Sequence, residues 1–178
     1  MHDEGTIIAA DLHQHKIRLI EEHQKRLGFH IIQMIHSDAR QLKNHFATQF
    51  DRILLDVPCS GLGVIRRKPD LKWSKAEEQI LEITRVQREI LESVSSLLKP
   101  SGVLVYSTCT MAKEENEEMV QSFVKDHPEF QLDPNLRNYL PEIVKEKLNT
   151  NTGMIQILPH YFDTDGFFIS RLLKNDQH

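Results

Sequence analysis

Nothing in this chain is apolar for long enough to cross a bilayer. A spanning helix takes about 20 consecutive apolar residues, and no run among the 178 approaches that. The first residues, Met1-His2-Asp3-Glu4, lack the basic and apolar regions of an export signal. The expected setting is therefore a reducing cytoplasm. Cysteine is scarce, at two residues, which excludes a disulfide scaffold; in that setting both thiols are expected to be free. A positive balance is missing too. Against 26 Asp and Glu stand 22 Lys and Arg, a net charge of −4. No global pull toward nucleic acid follows, so any such contact must come from a local patch. Ten histidines are scattered along the chain, and none, not even the alternating His13 and His15, has zinc-type spacing to Cys, Asp or Glu. No metal is expected.

What is there reads as one soluble domain over residues 1–178. An apolar share of 39% with 27% charged residues suits a globular chain long enough to bury a core. No repeat, linker or low-complexity tract interrupts it. Thr6 to Asp11 reads as a short buried strand ending in an acid. A helix follows with Ile17, Ile20 and Leu27 on one face, stopped at Gly28. Ile31 to Ile35 and Asp51 to Leu55 read as further strands, the latter ending at Asp56. After a loop to Trp73, Ser74 and Glu77 form a capping box for a long helix. Its apolar face is Ile80, Ile83, Ile90, Val94 and Leu97, and Lys99-Pro100-Ser101-Gly102 ends it. Val103 to Tyr106 is apolar throughout, as a strand buried on both faces is. Glu114 to Lys125 reads as a helix with acids in its first turn. Asp133 to Thr152 reads as an irregular excursion, and Met154 to Leu158 with Phe167 to Leu173 as closing strands. Strands alternating with helices predict an α/β fold with a mostly parallel sheet.

The chemistry collects at strand ends, where ligands of open α/β sheets bind. Asp11, Asp38 and Asp56 follow three successive strands. An acid there can accept hydrogen bonds from ribose hydroxyls or an adenine amino group, although each alone also reads as a turn or cap. Together they favour a nucleoside-containing cofactor. Cys59 stands in Asp56-Val57-Pro58-Cys59-Ser60-Gly61-Leu62-Gly63, where proline stiffens the chain between acid and thiol. Cys109 stands in Ser107-Thr108-Cys109-Thr110, before a helix whose N-terminus can lower a thiol pKa. Either cysteine alone also reads as a packed, inert thiol. Arg66, Arg67 and Lys68, with Lys72, Trp73 and Lys75, form the one dense basic segment. The cations suit phosphate contact, and Trp73 suits core anchoring.

Asp56-Val57-Pro58-Cys59, Ser107-Thr108-Cys109 and Asp165-Gly166-Phe167-Phe168 together resemble the RNA cytosine-C5 methyltransferases of the Nol1/Nop2/Sun family. The run from Asp51 to Arg67 is most similar to the family's bacterial branch acting on small-subunit ribosomal RNA, the B type. The likeness extends from about Thr6 to Lys174. It implies a Rossmann-like S-adenosylmethionine-dependent methyltransferase fold, S-adenosylmethionine as methyl donor and a cytosine of 16S rRNA as target. It further implies Cys109 as the nucleophile toward C6, Cys59 as the group assisting release, and Asp56 at the base and near the cofactor methionine. Asp11 would take the ribose hydroxyls and Asp38 the adenine edge; with RNA as the substrate, the phosphates read for Arg66, Arg67, Lys68 and Lys72 from their charge would be those of the RNA. Family members carry a strand and an Ala-Pro-Gly-Gly-Lys type loop before the ribose acid. Asp11 stands too near Met1 for either. The expectation is a fold lacking its first strand and Gly-rich loop, a fragment with impaired cofactor binding. Two rival readings remain: a noncatalytic remnant binding RNA or a protein partner through the Arg66–Lys75 segment, and a thiol-redox protein using Cys59 and Cys109, which lacks a C-x-x-C motif. Isothermal titration of the 178-residue chain with S-adenosylmethionine is expected to show weak binding or none. A micromolar dissociation constant would contradict the fragment reading.

Overall fold

The computed structural model describes residues 1–47, 49–71, 77–148 and 152–176. They form two compact units, Met1–Ala47 and Thr48–His178. In the first, β1 (Ile7–Asp11) and β2 (Ile32–His36) pair in parallel, with Asp11 opposite His36. The helix α1 (Gln14–Leu27) connects them. Gly28 ends it as the sequence predicts: at φ +71° its N–H reaches back to the carbonyls of Gln24 and Lys25, a left-handed cap that glycine adopts without penalty. Ile17 is buried and Ile20 half-buried on the expected face, whereas Leu27, placed with them from the sequence, is 54% exposed.

The second unit is built on a five-stranded sheet. Its strands are β3 (Phe50–Asp56), β4 (Leu98–Thr108), β5 (Phe130–Leu132), β6 (Met154–Ile157) and β7 (Phe167–Lys174). The order is β3-β4-β7-β5, with β6 also on β7. The predicted mostly parallel sheet is only partly found. β1–β2 and β3–β4 are parallel, but β7 runs antiparallel to β4, β5 and β6. A hairpin-like return from β6 into β7 needs no crossover helix, so the last part of the chain reverses the sheet's direction.

Among the described residues four helices accompany the sheet: α2 (Glu77–Ser95), α3 (Glu117–Asp126), α4 (Glu142–Lys147) and α5 (Pro159–Phe162). On α2, Ile90, Leu91 and Val94 are buried. Val120 and Phe123 of α3 are fully buried, as are Leu98, Leu104 and Tyr106 of β4 and Leu172 of β7. Ser74 and the basic and aromatic positions Lys72, Trp73 and Lys75 lie outside the described residues.

Three boundaries differ from expectation. The helix α2 ends at Ser95, and Leu98 already pairs with Phe50; Lys99-Pro100-Ser101-Gly102 is a bulge inside β4, where the register shifts before Arg52 meets Val103. Ser101 sits there at φ +58°, and an irregular ladder absorbs such a residue at the rim of a sheet. The acid-rich helix starts at Glu117 rather than Glu114, because Glu115 and Asn116 turn inward and are buried. The excursion after Asp133 holds a short 3₁₀ turn, Leu136–Tyr139, and α4. Leu136, Val144 and Ile155 make a small core of their own beneath it. Asp133, buried, pairs with Arg171, whose guanidinium lies 4.3 Å over the Tyr139 ring.

Phe123, with no exposed surface and its ring 4.4 Å from that of His127, tests this packing. Phe123→Ala is expected to lower unfolding stability by about 3–5 kcal/mol. Leu81→Ala, at a site 57% exposed, should stay within about 0.5 kcal/mol. Urea unfolding followed by circular dichroism measures both.

Candidate active site

β3 and β4 are parallel neighbours with Asp56 opposite Ser107. Parallel pairing brings both carboxyl ends to one edge, so the segments that leave them emerge side by side. The ladder continues one step beyond the strand, where Val57 N–H donates to Ser107 C=O at 3.2 Å. Ser107 Oγ donates to Asp56 Oδ1 at 3.0 Å and orients an exposed carboxylate. Cys59 then lies three residues beyond Asp56, and Cys109 two beyond Ser107. Their sulfur atoms are 3.2 Å apart. Both cysteines are free and half-buried. The structure thus brings together Asp56, Cys59 and Cys109 from one expected site.

A shared hydrogen bond makes the thiols unequal. The contact with Cys59 pulls the Cys109 thiol down to about 7, against burial and against the negative charges of Asp56 and Glu115. The same contact, with burial, pushes the Cys59 thiol far up. The direction of both shifts favours Cys59 as donor and Cys109 as the thiol that ionises first.

Two glycines close the site. Gly63 N–H donates to Cys109 C=O at 2.9 Å, and Gly166 N–H donates to Gly63 C=O at 2.8 Å. A Cβ on Gly63 would lie 2.3 Å from Gly166 O and 2.7 Å from Cys109 O, both backbone atoms. No side chain fits, so the loop after Cys59, the loop after Cys109 and the turn into β7 meet backbone to backbone. This gives the Asp165-Gly166-Phe167-Phe168 segment its role. Beside it Arg66 pairs with Asp163 at 2.5 Å and Arg67 with Asp165. Both arginines are exposed, as is Lys68.

One residue beside the thiols escaped the sequence. Glu115 is fully buried. Its carboxylate accepts from Ser60 N–H at 2.9 Å, from Ser60 Oγ, and from Gln87 Nε2 at 2.9 Å. Gln87 Nε2 also donates to Pro58 C=O at 2.9 Å. Tyr106, whose phenol burial pushes well up, donates to Glu115 C=O at 2.7 Å. The only sequence signal was an acid in the first turn of an expected helix, which reads as solvated.

In the first unit, Asp11 and Asp38 stand at the carboxyl ends of β1 and β2. Asp11 Oδ1 accepts from His13 N–H at 2.8 Å, and Oδ2 lies 3.5 Å from Lys16 Nζ. Asp38 caps a 3₁₀ turn through Arg40 N–H and holds the Arg40 guanidinium at 2.6 Å. Arg40 beside it keeps the Asp38 carboxyl below the usual range. Each acid thus has the plainer local role. Among the described residues no group of three His, Cys, Asp or Glu could hold a metal ion, and no helix is long and apolar enough to cross a membrane.

A family model described as 16S rRNA methyltransferase RsmB/F matches residues 1–173. The chain belongs to that family. It is 47% identical over 175 residues to the probable ribosomal RNA small subunit methyltransferase B of Bacillus subtilis (strain 168), covering 98% of this chain and 39% of the relative. Among solved structures it resembles NSun6 from Pyrococcus horikoshii with SFG, at TM-score 0.82 and 33% identity over 98% of this chain and 43% of that one. A methyltransferase homologue from Pyrococcus horikoshii follows at TM-score 0.76 and 29% identity, over 98% and 55% of the two chains. The fold is therefore the α/β methyltransferase fold expected. The chain spans about two-fifths of the length of the curated relatives it matches.

Alkylation by iodoacetamide reads the thiol pair directly. Only the thiolate attacks, so the rate at Cys109 should be low at acid pH and rise through a midpoint near 7. Cys59 should react far more slowly throughout. Cys59→Ala removes the donor while burial and the charges of Asp56 and Glu115 remain, and is expected to move the Cys109 midpoint above about 8.5, the ordinary thiol value. Peptide mass mapping across pH 5–10 measures it.

Proposed function

We propose that this chain supplies catalytic machinery for S-adenosylmethionine-dependent methylation of cytosine C5 in 16S rRNA, through a covalent bond from Cys109 to C6. The observation that carries the reading is the 3.2 Å contact between two thiols beside an ordered carboxylate at the carboxyl edge of a parallel strand pair. C5 of cytosine is a poor nucleophile. Addition of the Cys109 thiolate to C6 breaks the C5=C6 π bond and places its electron pair on C5, which can then accept an electrophilic methyl group. When C5 later loses its proton, that pair restores C5=C6 and sulfur leaves C6 as thiolate. We assign Cys59 to assist this release. Asp56 takes a hydrogen bond from the base near N3. A base attacked through its ring face must first leave any stack.

S-adenosylmethionine, when bound, supplies the methyl as a sulfonium. The acceptors suit it unequally: a carboxylate has about four lone-pair sites, of which Asp11 spends few on local partners, whereas Arg40 makes four contacts to Asp38 and would have to yield some of them to a ligand. Asp11 would hold the ribose hydroxyls, Asp38 the adenine edge, and Asp56 would lie near the methionine moiety. Arg66, Arg67 and Lys68 are proposed RNA contacts, with Lys72 beyond the described residues. We read the two compact units as parts of one catalytic domain.

The test is methyl transfer from labelled cofactor to 16S rRNA, assayed in a polypeptide of the relatives' full length that includes these residues. Cys109→Ala is expected to reduce incorporation to background. Cys59→Ala should leave a covalent protein–RNA adduct, seen as a gel-shifted band that survives detergent. Transfer persisting in Cys109→Ala would overturn the proposal, and no adduct in Cys59→Ala would overturn the division of labour between the thiols.

A further inference from the structure

We infer that Glu115 is a positioning residue: through Ser60 and Thr110 it clamps the two cysteine loops together and holds the thiols in contact. The inference rests on the reading of Cys59 and Cys109 as the working pair. Ser60 follows Cys59 directly and Thr110 follows Cys109 directly, and their hydroxyl oxygens are 2.7 Å apart. Ser60 has one hydroxyl proton, and it goes to Glu115 Oε1. The proton between the two hydroxyls is therefore that of Thr110, donated to Ser60 Oγ. Thr110 Oγ1 in turn accepts from Ala112 N–H at 3.3 Å. All three residues are buried, so each bond is made away from competing water.

The chain of bonds has a fixed direction that begins at the carboxylate. With three neutral donors on its oxygens and no basic side chain paired to it among the described residues, Glu115 acts as the acceptor toward which both loops orient. Gln87 extends the clamp, because one amide nitrogen serves both Pro58 C=O and Glu115. The carbonyl of Glu115 is itself pinned by Tyr106 from the middle of β4. Loops, helix and strand thus meet on one residue, one step removed from either sulfur. Its negative charge works against ionisation of Cys109, as does that of Asp56. A residue retained for the electrostatics of the thiolate would carry the opposite sign. Position is what remains for it to supply.

Charge and clamp can be separated, because they move Cys109 in opposite directions. Ser60→Ala cuts the link to Thr110 while the Glu115 charge stays. Glu115→Gln removes the charge but keeps a side chain of the same shape: its oxygen still accepts from Ser60 N–H, and Ser60 Oγ can accept from its amide and donate onward to Thr110. Alkylation midpoints are measured without cofactor or RNA, with circular dichroism to verify folding. Diamide oxidation provides a second readout, in which the two thiols lose two electrons and two protons to diamide and form a Cys59–Cys109 bond, scored by mass. The titratable groups around Cys109 are Cys59, Asp56 and Glu115, and the first is watched in the same peptide maps. Ser60→Ala is expected to raise the Cys109 midpoint and slow diamide coupling several-fold. Glu115→Gln should lower the midpoint and leave coupling near the starting rate. Thr110→Val, which deletes one hydroxyl at constant shape, should behave as Ser60→Ala and stands in for it if that variant does not fold. Unmoved midpoints in both hydroxyl variants, or a rise in Glu115→Gln, would overturn the clamp. Failure of methyl transfer with these midpoints as expected would count against the proposed reaction and leave the clamp standing.

Discussion

The parallel ladder between β3 and β4 is the constraint on which the rest depends. In a parallel pair, residues in register advance together toward the same edge. Asp56 opposite Ser107 therefore dictates that Cys59 and Cys109, 50 positions apart in sequence, leave the sheet as neighbours. An antiparallel pairing of the same two strands would send the thiols to opposite ends of the sheet, nearly a strand length apart. The antiparallel strand β7 adds what a parallel one could not. Its second residue, Phe168, lies opposite Thr108, so the turn before it returns to the same edge and sets Gly166 against Gly63.

The thiol pair shows which electrostatic effect wins. Burial and two nearby carboxylates all favour the neutral form of Cys109, yet its thiol is lowered, because a hydrogen bond from Cys59 outweighs them. Bonds to charged groups are worth about 1.5–3 kcal/mol, more than bonds between neutral partners. The gain exists only while the sulfur atoms touch. Activation is thus a property of distance, and distance is set by the hydroxyl and carboxylate contacts behind the two loops. The same proton cannot serve both sulfurs, which is why Cys59 moves up as Cys109 moves down.

Much of this was legible in the chain. β3 and β4 announce themselves as apolar runs ending in Asp56 and Ser107-Thr108, and residues just past such runs must lie at the sheet edge. Gly28 marked the end of α1 through its required left-handed backbone. Other features carried no local signal. β5 is three residues long, too short for a period to show, and exists because β7 offers it an edge. Lys99-Pro100-Ser101-Gly102 has the composition of a helix stop, and only the partner strand reveals it as a bulge. Glu115 lies in Lys113-Glu114-Glu115-Asn116-Glu117-Glu118, where every acid looks like a solvated helix start. Which of them turns inward is decided by donors contributed from Ser60 and Gln87, 55 and 28 residues away, and no window of sequence contains them. The acids Asp11 and Asp38 illustrate the converse: their placement at strand ends was readable, while their local partners were not.

The basic segment after Cys59 poses a problem of competing partners. Arg66 and Arg67, proposed to meet RNA phosphates, are engaged with Asp163 and Asp165 in the turn that leads into β7. The Arg66–Asp163 pair is exposed at both ends and contributes about 0–1 kcal/mol, so exchanging that aspartate for a phosphate costs little, whereas the Asp165 side chain is only 12% exposed and loses more when Arg67 leaves it. What the pairs do accomplish is to tie two long side chains to the segment that leads into β7. A segment of free arginines would have to be ordered at the moment of binding, at a cost approaching 2 kcal/mol per side chain. By holding the two side chains in place, the aspartates between β6 and β7 would lower the ordering cost of the proposed contact they compete with, and they do so in a chain whose net charge is −4.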